Sequence, residues 1–595
     1  SSLSLLTFSP KNSKVIKPYI FNIIYEFLPI LFIENDIEIR NILFSILKNF
    51  IIRIRDSSYS INREVLNLNK KLNKKKLNND ELMLIDNLKV SLNDYQDFLN
   101  KLIDLIHLNL LPGLSYQKVS FALKLLNCII KSGLDNRIEK KHLEKNHIDY
   151  PFNIEIYNKN LFRLLLDNIS DEFNDIRQTS TEILNMSPVP ISEILKDDNS
   201  DNAHSEVNDL DLYFNRSELM IKDIKGRKGD SGARFFQLLF QNYQSNNEIP
   251  KCLGILNTLT SNLKHSIDYL ESNLIFAIYK ENIHGYYSSL RFIFEIIEFD
   301  KFVNYSITNG NDDLLTLVNS WIQLIIKNWE LTKFFLQNDS PEGFDNLEIK
   351  SDEADEIKEL IENYGPITQI LSSYSWRSMK ESSSLLKEIF DKSPSNYFQI
   401  DQVSSIGGDI LIDQLSTIRH RGAFSSVYPT FISCCIRCKT YGKSDIVKQW
   451  LDDCIDNILK LKYNQYITRR SAGIPFLITA ILTSEVEYNK KSKKFSLDLI
   501  EYTIDKLLNI SKLSIDSIES NDANTDPTNE AVVVKLDKID LPQVNAINCI
   551  RSIFIESSLS DVSIFFTDKV LDLCLSQFDS PIWSIRNCSV MLFSA

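Results

Sequence analysis

Apolar residues recur along this chain at helical spacing. In LFRLLLDNIS, Leu161, Leu164, Leu165 and Ile169 share one face, and GYYSSLRFIFEIIEF sets Leu290, Ile293, Phe294 and Ile297 on a broad apolar stripe. Strand-like alternation is nearly absent, so the pattern predicts an all-α protein. A second pattern overlies the first: an acidic residue is followed a few positions later by an apolar residue, an arginine and a helical run. It occurs as ENDIEIR ending at Arg40, DEFNDIR ending at Arg177 and DSPIWSIR ending at Arg586, with a looser copy at Trp376 and Arg377 in SSYSWRSMKE. This predicts a HEAT/armadillo-like α-solenoid of stacked helical hairpins, each burying its apolar face only against its neighbours. At a period of 40 to 47 residues the chain holds roughly 12 to 15 hairpins. In such a stack the acidic side chain is expected to pair with the arginine, forming a ladder through Arg40, Arg177 and Arg586.

Three polar stretches interrupt the pattern: NLNKKLNKKKLNNDE at 67–81, SPEGFDNLEIKSDEADE at 340–356 and SIESNDANTDPTNE at 517–530. They read as loops or extended helix ends. The lysines Lys70, Lys71, Lys74, Lys75 and Lys76, like NKKSKKF at 489–495, could touch RNA phosphates, but the base rate favours solvated insertions. The most apolar stretch, PYIFNIIYEFLPILFI at 18–33, is interrupted by Asn22, Glu26 and Pro29 and falls short of a membrane span. It reads as a buried helix pair.

Composition supports the helical reading. With 15 glycines and 16 prolines in 595 residues, these two types make about 5 % of the chain, where roughly 12 % is usual. A net charge of −13 excludes a general polycationic surface, so any RNA contact must be local. Nine scattered cysteines predict reduced thiols in a cytosolic or nuclear setting. The absence of an initiator Met, together with the uncapped apolar run SVMLFSA at the end, suggests a piece of a longer chain.

Familiar catalytic patterns are missing. GRKGDSG at 226–232 has neither P-loop spacing nor a preceding strand, and Gly407-Gly408 stands alone. The parallel sheet that a dinucleotide or methyl-donor site requires is not predicted, so no cofactor is expected in this chain. Cys434, Cys435 and Cys438 in CCIRC could join His420 or Cys454 around zinc, yet they continue a helical phase in which cysteine acts as a small buried hydrophobe. No HExxH, HxxxH or GxSxG pattern occurs.

Two segments of the last third place adjacent cations against small residues: RHRGAF (Arg419 to Phe424) and TRRSAGIPF (Thr468 to Phe476). Glycine permits close backbone approach, and a guanidinium grips phosphate bidentately. The competing reading is structural, with Gly473 and Pro475 ending or kinking a helix and Arg469 and Arg470 serving as ladder residues.

At these residues the sequence resembles the THADA family, the thyroid adenoma-associated protein and its fungal counterparts. SWRSMKE (375–381), RHRGAF, TRRSAGIP, NAINCIRSIF (545–554) and FDSPIWSIRNCSVMLFSA (578–595) carry the likeness, with KGRKGDSGARFFQLLF (225–240) as a weaker match. It covers residues 225–595, taken as the family's central helical-repeat region, truncated at its C-terminal end. Residues 1–224 read as generic N-terminal helical repeats with the Lys/Asn-rich insertion. One departure is Asn545, where a histidine would be expected; Asn548 and Arg551 remain.

The resemblance implies a non-catalytic scaffold subunit of a cytoplasmic tRNA 2′-O-methyltransferase. Its small FtsJ-like partner would bind S-adenosylmethionine and methylate the ribose of nucleotide 32 in the tRNA anticodon loop. This chain would then be no enzyme, would meet no membrane, and would gather a local positive patch on a concave face. The candidate contact residues are Arg227, Arg377, Lys380, Arg419, His420, Arg421, Arg469, Arg470, Ser471, Gly473, Pro475 and Arg551. Trp376 and Phe424 are either base-stacking residues or core. A HEAT-repeat transport receptor or trafficking adaptor remains an alternative, because fold alone does not fix function.

Overall fold

A computed structural model describes residues 2–72, 79–145, 147–191, 209–310, 313–337, 354–397, 400–460, 473–493, 495–513 and 541–595. Among the described residues all regular structure is helical, without a strand, and the chain forms two compact units: Ser1–Met220 with Asp230–Glu248, and Ile221–Gly229 with Ile249–Ala595.

The first unit contains α1 (Pro18–Leu31), α2 (Ile37–Leu72), α3 (Asn79–Leu108), α4 (Tyr116–Lys131), α5 (Lys159–Asn168) and α6 (Asn174–Asn185). The apolar stretch at 18–33 forms the single helix α1, with Pro29 inside its last turn, and not a pair of helices. Only one face is buried, through Phe21, Ile24 and Leu28, while Tyr19, Phe27 and Ile30 remain exposed. The two ends of the Lys/Asn tract are helical, since α2 runs to Leu72 and α3 starts at Asn79, while residues 73–78, with Lys74, Lys75 and Lys76, lie outside the described residues. At 1.5 Å per residue, the 36-residue α2 spans about 54 Å. Phe21, Tyr95 and Phe98 cluster in the core, with ring centroids 5.0 and 4.8 Å from Phe21. The buried Tyr95 hydroxyl accepts from Ile16 N at 2.7 Å and lies 2.7 Å from Ser57 Oγ.

The recurrent arginines are anchored differently from the expected ladder. Arg40 donates to Glu34 O, Arg177 to Asp171 O and Glu172 O, and Arg586 to Ser580 O and Pro581 O. Each guanidinium therefore reaches back five or six residues to the main-chain carbonyls of the turn before its own helix. The acids cap that turn: Asp36 Oδ1 accepts from Glu38 N and Ile39 N, and Asp171 Oδ1 from Phe173 N. Turn carbonyls have no intrahelical partner and can only accept, so the guanidinium's fixed fork of donors satisfies them. Arg177 also pairs with Asp230, whose carboxylate it shares with Arg234 at 2.7 and 3.1 Å.

Helix α7 (Gly226–Ser245) has its first turn in the second unit and the remainder in the first. The second unit then continues with α8 (Ile249–Ser272), α9 (His284–Ile296), α10 (Asp313–Gln337), α11 (Ile367–Lys392), α12 (Ile400–Ser405), α13 (Ile412–Thr417), α14 (Arg421–Thr440), α15 (Ser444–Lys460), α16 (Ile474–Lys491), α17 (Asp498–Ser511), α18 (Pro542–Ile555), α19 (Thr567–Gln577) and α20 (Trp583–Phe593). Helices α9, α11, α14, α16, α18 and α20 form a row in which each packs on the next. The other member of each hairpin lies beside this row: α10 packs on α11, α15 on α16, α17 on α18 and α19 on α20. Row helices contact neighbours on several sides, which explains why Ile474, Pro475 and every residue from Leu477 to Ser484 of α16 are buried. The α11–α14 seam is built from small residues. Ser383 Oγ lies 2.9 Å from Thr430 Oγ1, and Thr430 donates back to Ser383 O at 2.9 Å.

The CCIRC cysteines lie in α14 and are buried, as are the other six, and all nine are free. Burial pushes the Cys454 thiol up to about 12 and the Cys128 thiol up to about 11. Among the described residues no three His, Cys, Asp or Glu side chains gather into a metal-holding group. Helices α12 and α13 are joined by a π turn, Ile406–Leu411. The Trp450 ring lies so close to this turn that a Cβ on Gly407 would stand 2.4 Å from it. Gly407 and Gly408 therefore give way to an aromatic side chain.

Candidate functional site

Helix α11 carries Trp376, Arg377, Lys380 and Glu381, and three of the singled-out segments meet on it. The half-buried Arg377 donates from Nη1 to Ile224 O at 2.7 Å, with its guanidinium against Gly226 at the start of α7. Burial lowers its pKa. One position earlier, the Trp376 indole lies beside His420, ring centroids 5.8 Å apart and planes tilted by 34°. KGRKG, SWRSMKE and RHRGAF are thereby joined through two consecutive side chains.

His420 is the N-cap of α14. Its Nδ1 accepts from Ala423 N at 3.3 Å, which places the proton of the neutral ring on Nε2. Burial lowers its pKa and so favours that neutral form. The next residue, Arg421, opens the helix with an exposed side chain. Gly422 follows, facing the Trp376 indole. Arg419 is half-buried on the approach to the helix, and its main-chain N donates to Leu336 O at 2.9 Å.

RHRGAF is linked to the next helix of the row by Phe424 and Phe476, edge to face with centroids 5.1 Å apart. Phe424 is buried, so it serves the core and does not stack on a ligand. Gly473 adopts φ +107° and caps α16, while its N–H bonds Leu415 O at 3.1 Å. Pro475 lies buried in the first turn of α16. These two residues therefore start a helix. Arg469, Arg470 and Ser471 lie outside the described residues.

The remaining candidates are dispersed. Lys380 is exposed and pairs with Glu381 at 2.9 Å, and Glu381 is also 3.3 Å from Arg291. Arg227 is exposed in the first turn of α7. Arg551 is half-buried on α18, where its Nε has no hydrogen-bond partner among the described residues. Asn545, at the position of the family departure, is buried in the same helix.

Two features escaped the sequence reading. His284, at the start of α9, is buried with Nε2 facing Gly229 and without a hydrogen-bond partner among the described residues. Burial, aided by the charge of Arg377, lowers its pKa to about 4. The contact between Trp376 and Gly422 was also missed, although a glycine in the first turn of a glycine-poor chain's helix hints at a close neighbour. Among the described residues, no helix is long and apolar enough to cross a membrane.

Stacked helical hairpins packed along a row of helices define a helical-repeat protein. Two family profiles match it: "Trm732, TPR repeats" over residues 1–178 and "THADA/TRM732, DUF2428" over residues 316–584. The chain belongs to the THADA/Trm732 family. A relative from Schizosaccharomyces pombe, the tRNA (32-2′-O)-methyltransferase regulator trm732, is 30 % identical over 94 % of this chain and 34 % of its own length. The tRNA (32-2′-O)-methyltransferase regulator THADA of Gallus gallus is 25 % identical over 85 % of this chain and 28 % of its own. The chain thus spans about a third of the length of these curated relatives. Among solved structures, the karyopherin Kap121p bound to the SUMO protease Ulp1p aligns over 99 % of this chain and 73 % of its own, at 11 % identity and a TM-score of 0.21.

Proposed function

We propose that this chain is a non-catalytic, cytoplasmic regulatory scaffold that docks an FtsJ-like methyltransferase and its tRNA, so that nucleotide 32 of the anticodon loop receives a ribose 2′-O-methyl group. The S-adenosylmethionine belongs to the partner enzyme. The observation that carries this reading is the linked series of motif-bearing segments at the start of α7, on α11 and at the starts of α14 and α16. Its α11, α14 and α16 segments lie in the region matched by the THADA/TRM732 profile, and curated relatives bear the name of regulators of that methyltransferase.

Within the series, Arg421 is presented outward at the start of α14, where Trp376 and His420 hold the terminus in place, and Arg377 ties α11 to the start of α7. Arg421, Arg469 and Arg470 are assigned to partner or phosphate contact, which positions the RNA without reading its sequence. The test is affinity isolation of the full chain from cells, with identification of bound protein and RNA, beside a variant carrying Arg421→Ala, Arg469→Ala and Arg470→Ala. Recovery of a methyltransferase and tRNA with the parent chain, and loss of nucleotide 32 methylation with the folded variant, is the expected result. Recovery of a transport GTPase or cargo without a methyltransferase overturns the function, and undiminished methylation by the variant overturns the residue assignment.

A further inference from the structure

At the far end of α16 from Gly473, two large aromatic side chains stand in solvent. Phe495 is 70 % exposed and Phe565 61 % exposed, with ring centroids 6.2 Å apart and planes at 70°. Ile564 beside them is 66 % exposed. Phe495 follows the end of α16, and Phe565 belongs to the short 3₁₀ turn Ile564–Phe566 before α19. Exposed apolar residues scattered singly are ordinary. A touching pair from two different segments is a patch, and a patch on a folded surface marks a contact.

Exposed charges of both signs flank the pair, Asp498, Asp561 and Asp568 among them, and the lysines at the end of α16 narrow its occupant. Lys490, Lys491 and Lys493 are all exposed on the path to Phe495. Lys490 pairs only loosely with Asp561, at 3.9 Å. Lys490 and Lys491 lie in the last turn of α16, where cations complement the helix dipole. That structural role accounts for two lysines but not for two aromatic rings left in water beside them. Faces of aromatic rings flanked by flexible cations match a nucleic acid strand whose bases are unstacked: the rings take the bases, and the ammonium groups take the phosphates.

We infer that Phe495 and Phe565, with Lys490, Lys491 and Lys493, form a stacking platform for unpaired bases of an RNA loop. The choice of a tRNA loop as ligand rests on the function proposed above. The 18 residues of α16 place this platform about 27 Å from Gly473. It is therefore a second contact, separate from the arginine-bearing segments, and two contacts at that spacing orient a bound RNA as one alone does not.

The experiment uses the full chain, a labelled anticodon stem-loop RNA and a blunt duplex of the same stem. Phe495→Ala and Phe565→Ala are each expected to weaken stem-loop binding about tenfold while leaving duplex binding unchanged, and Phe495→Tyr is expected to restore it. The pair Lys491→Ala and Lys493→Ala is expected to weaken both RNAs and to reduce the salt dependence of single-strand binding by about 1.4 log units per decade. Stem-loop affinity unchanged by the phenylalanine variants overturns the platform. So does a lowered unfolding temperature in those variants, which would show the rings packed by the chain itself. So, too, does loss of binding to phosphatidylserine vesicles with RNA binding intact, which would assign the patch to an anionic membrane. Methyltransferase recovery by the parent chain is scored separately, so failure of the scaffold function and failure of the platform are told apart.

Discussion

Gly422 lies so close to Trp376 that a Cβ in its place would stand 2.3 Å from the indole Nε1. In an open helix, alanine is favoured over glycine by up to about 1 kcal/mol. Here the sign reverses, because an added Cβ would overlap the indole, which also packs beside His420. Gly422→Ala is expected to destabilise the second unit by about 1–3 kcal/mol, read from the denaturant midpoint, and to disturb the terminus that presents Arg421.

Gly473 occupies φ +107°, ψ −165°, a region essentially closed to residues with a Cβ. Gly473→Ala is expected to cost about 1–3 kcal/mol and to speed hydrogen exchange in the first turns of α16. Unchanged protection there would show that the turn relaxes to another conformation at little cost.

Asp230 sits between Arg177 and Arg234, whose side chains are 7 % and 6 % exposed. Burial opposes ionisation of this carboxyl, but the guanidinium groups of Arg234 and Arg177 outweigh it and hold the pKa below the usual carboxylate range. A depressed folded pKa stabilises the native state above the unfolded value near 3.8, and that contribution is lost as pH falls through the folded value. Acid unfolding of the first unit is expected to steepen below about pH 4. Asp230→Asn, which leaves two buried cations sharing a neutral amide, is expected to cost about 3–5 kcal/mol at neutral pH and to lose that steepening in circular dichroism.

His284 behaves oppositely to a histidine that gains an acidic partner. Its folded pKa of about 4 lies below the ordinary 6.5, so between these values the unfolded chain binds a proton that the folded chain refuses. Arg377 and Lys380 face it as cations, with Glu381 and Asp223 as the opposing anions. Stability is full above pH 6.5 and falls towards pH 4, by on the order of 3 kcal/mol in total. Hydrogen exchange in α9 is expected to accelerate over that range, and His284→Gln to remove the dependence.

All nine cysteines are free and buried, and burial pushes thiols such as Cys454 and Cys549 up. A thiol reagent is expected to label none of them in the native protein at neutral pH and all nine after denaturation. Fast labelling of any one thiol in the native protein would locate a helix that opens independently.

Helical periodicity made the hairpins legible, since positions such as Leu161 and Leu165 or Leu290 and Ile293 need only local spacing to declare a buried face. The recurrent arginines were legible as repeat markers, but their partners were not. The distance from Arg177 back to Asp171 admits either a carboxylate or a main-chain carbonyl, and turn geometry chooses the carbonyl. The family motifs were visible as segments, yet nothing in their spacing revealed that Trp376 and Arg377 would join two of them.

The chain's own order of apolar, acidic and basic residues determined that it is helical, that it repeats, and which family it belongs to, because these properties reside in neighbours a few positions apart. Which cations face outward was decided by tertiary structure. Arg377 and Arg421 look alike in sequence, but one is drawn inward to Ile224 O across a separation of 153 residues, while the other is held at the exposed start of α14. The same applies to Phe495 and Phe565, ordinary apolar residues 70 positions apart that become a surface feature only when the packed hairpins bring their two turns together.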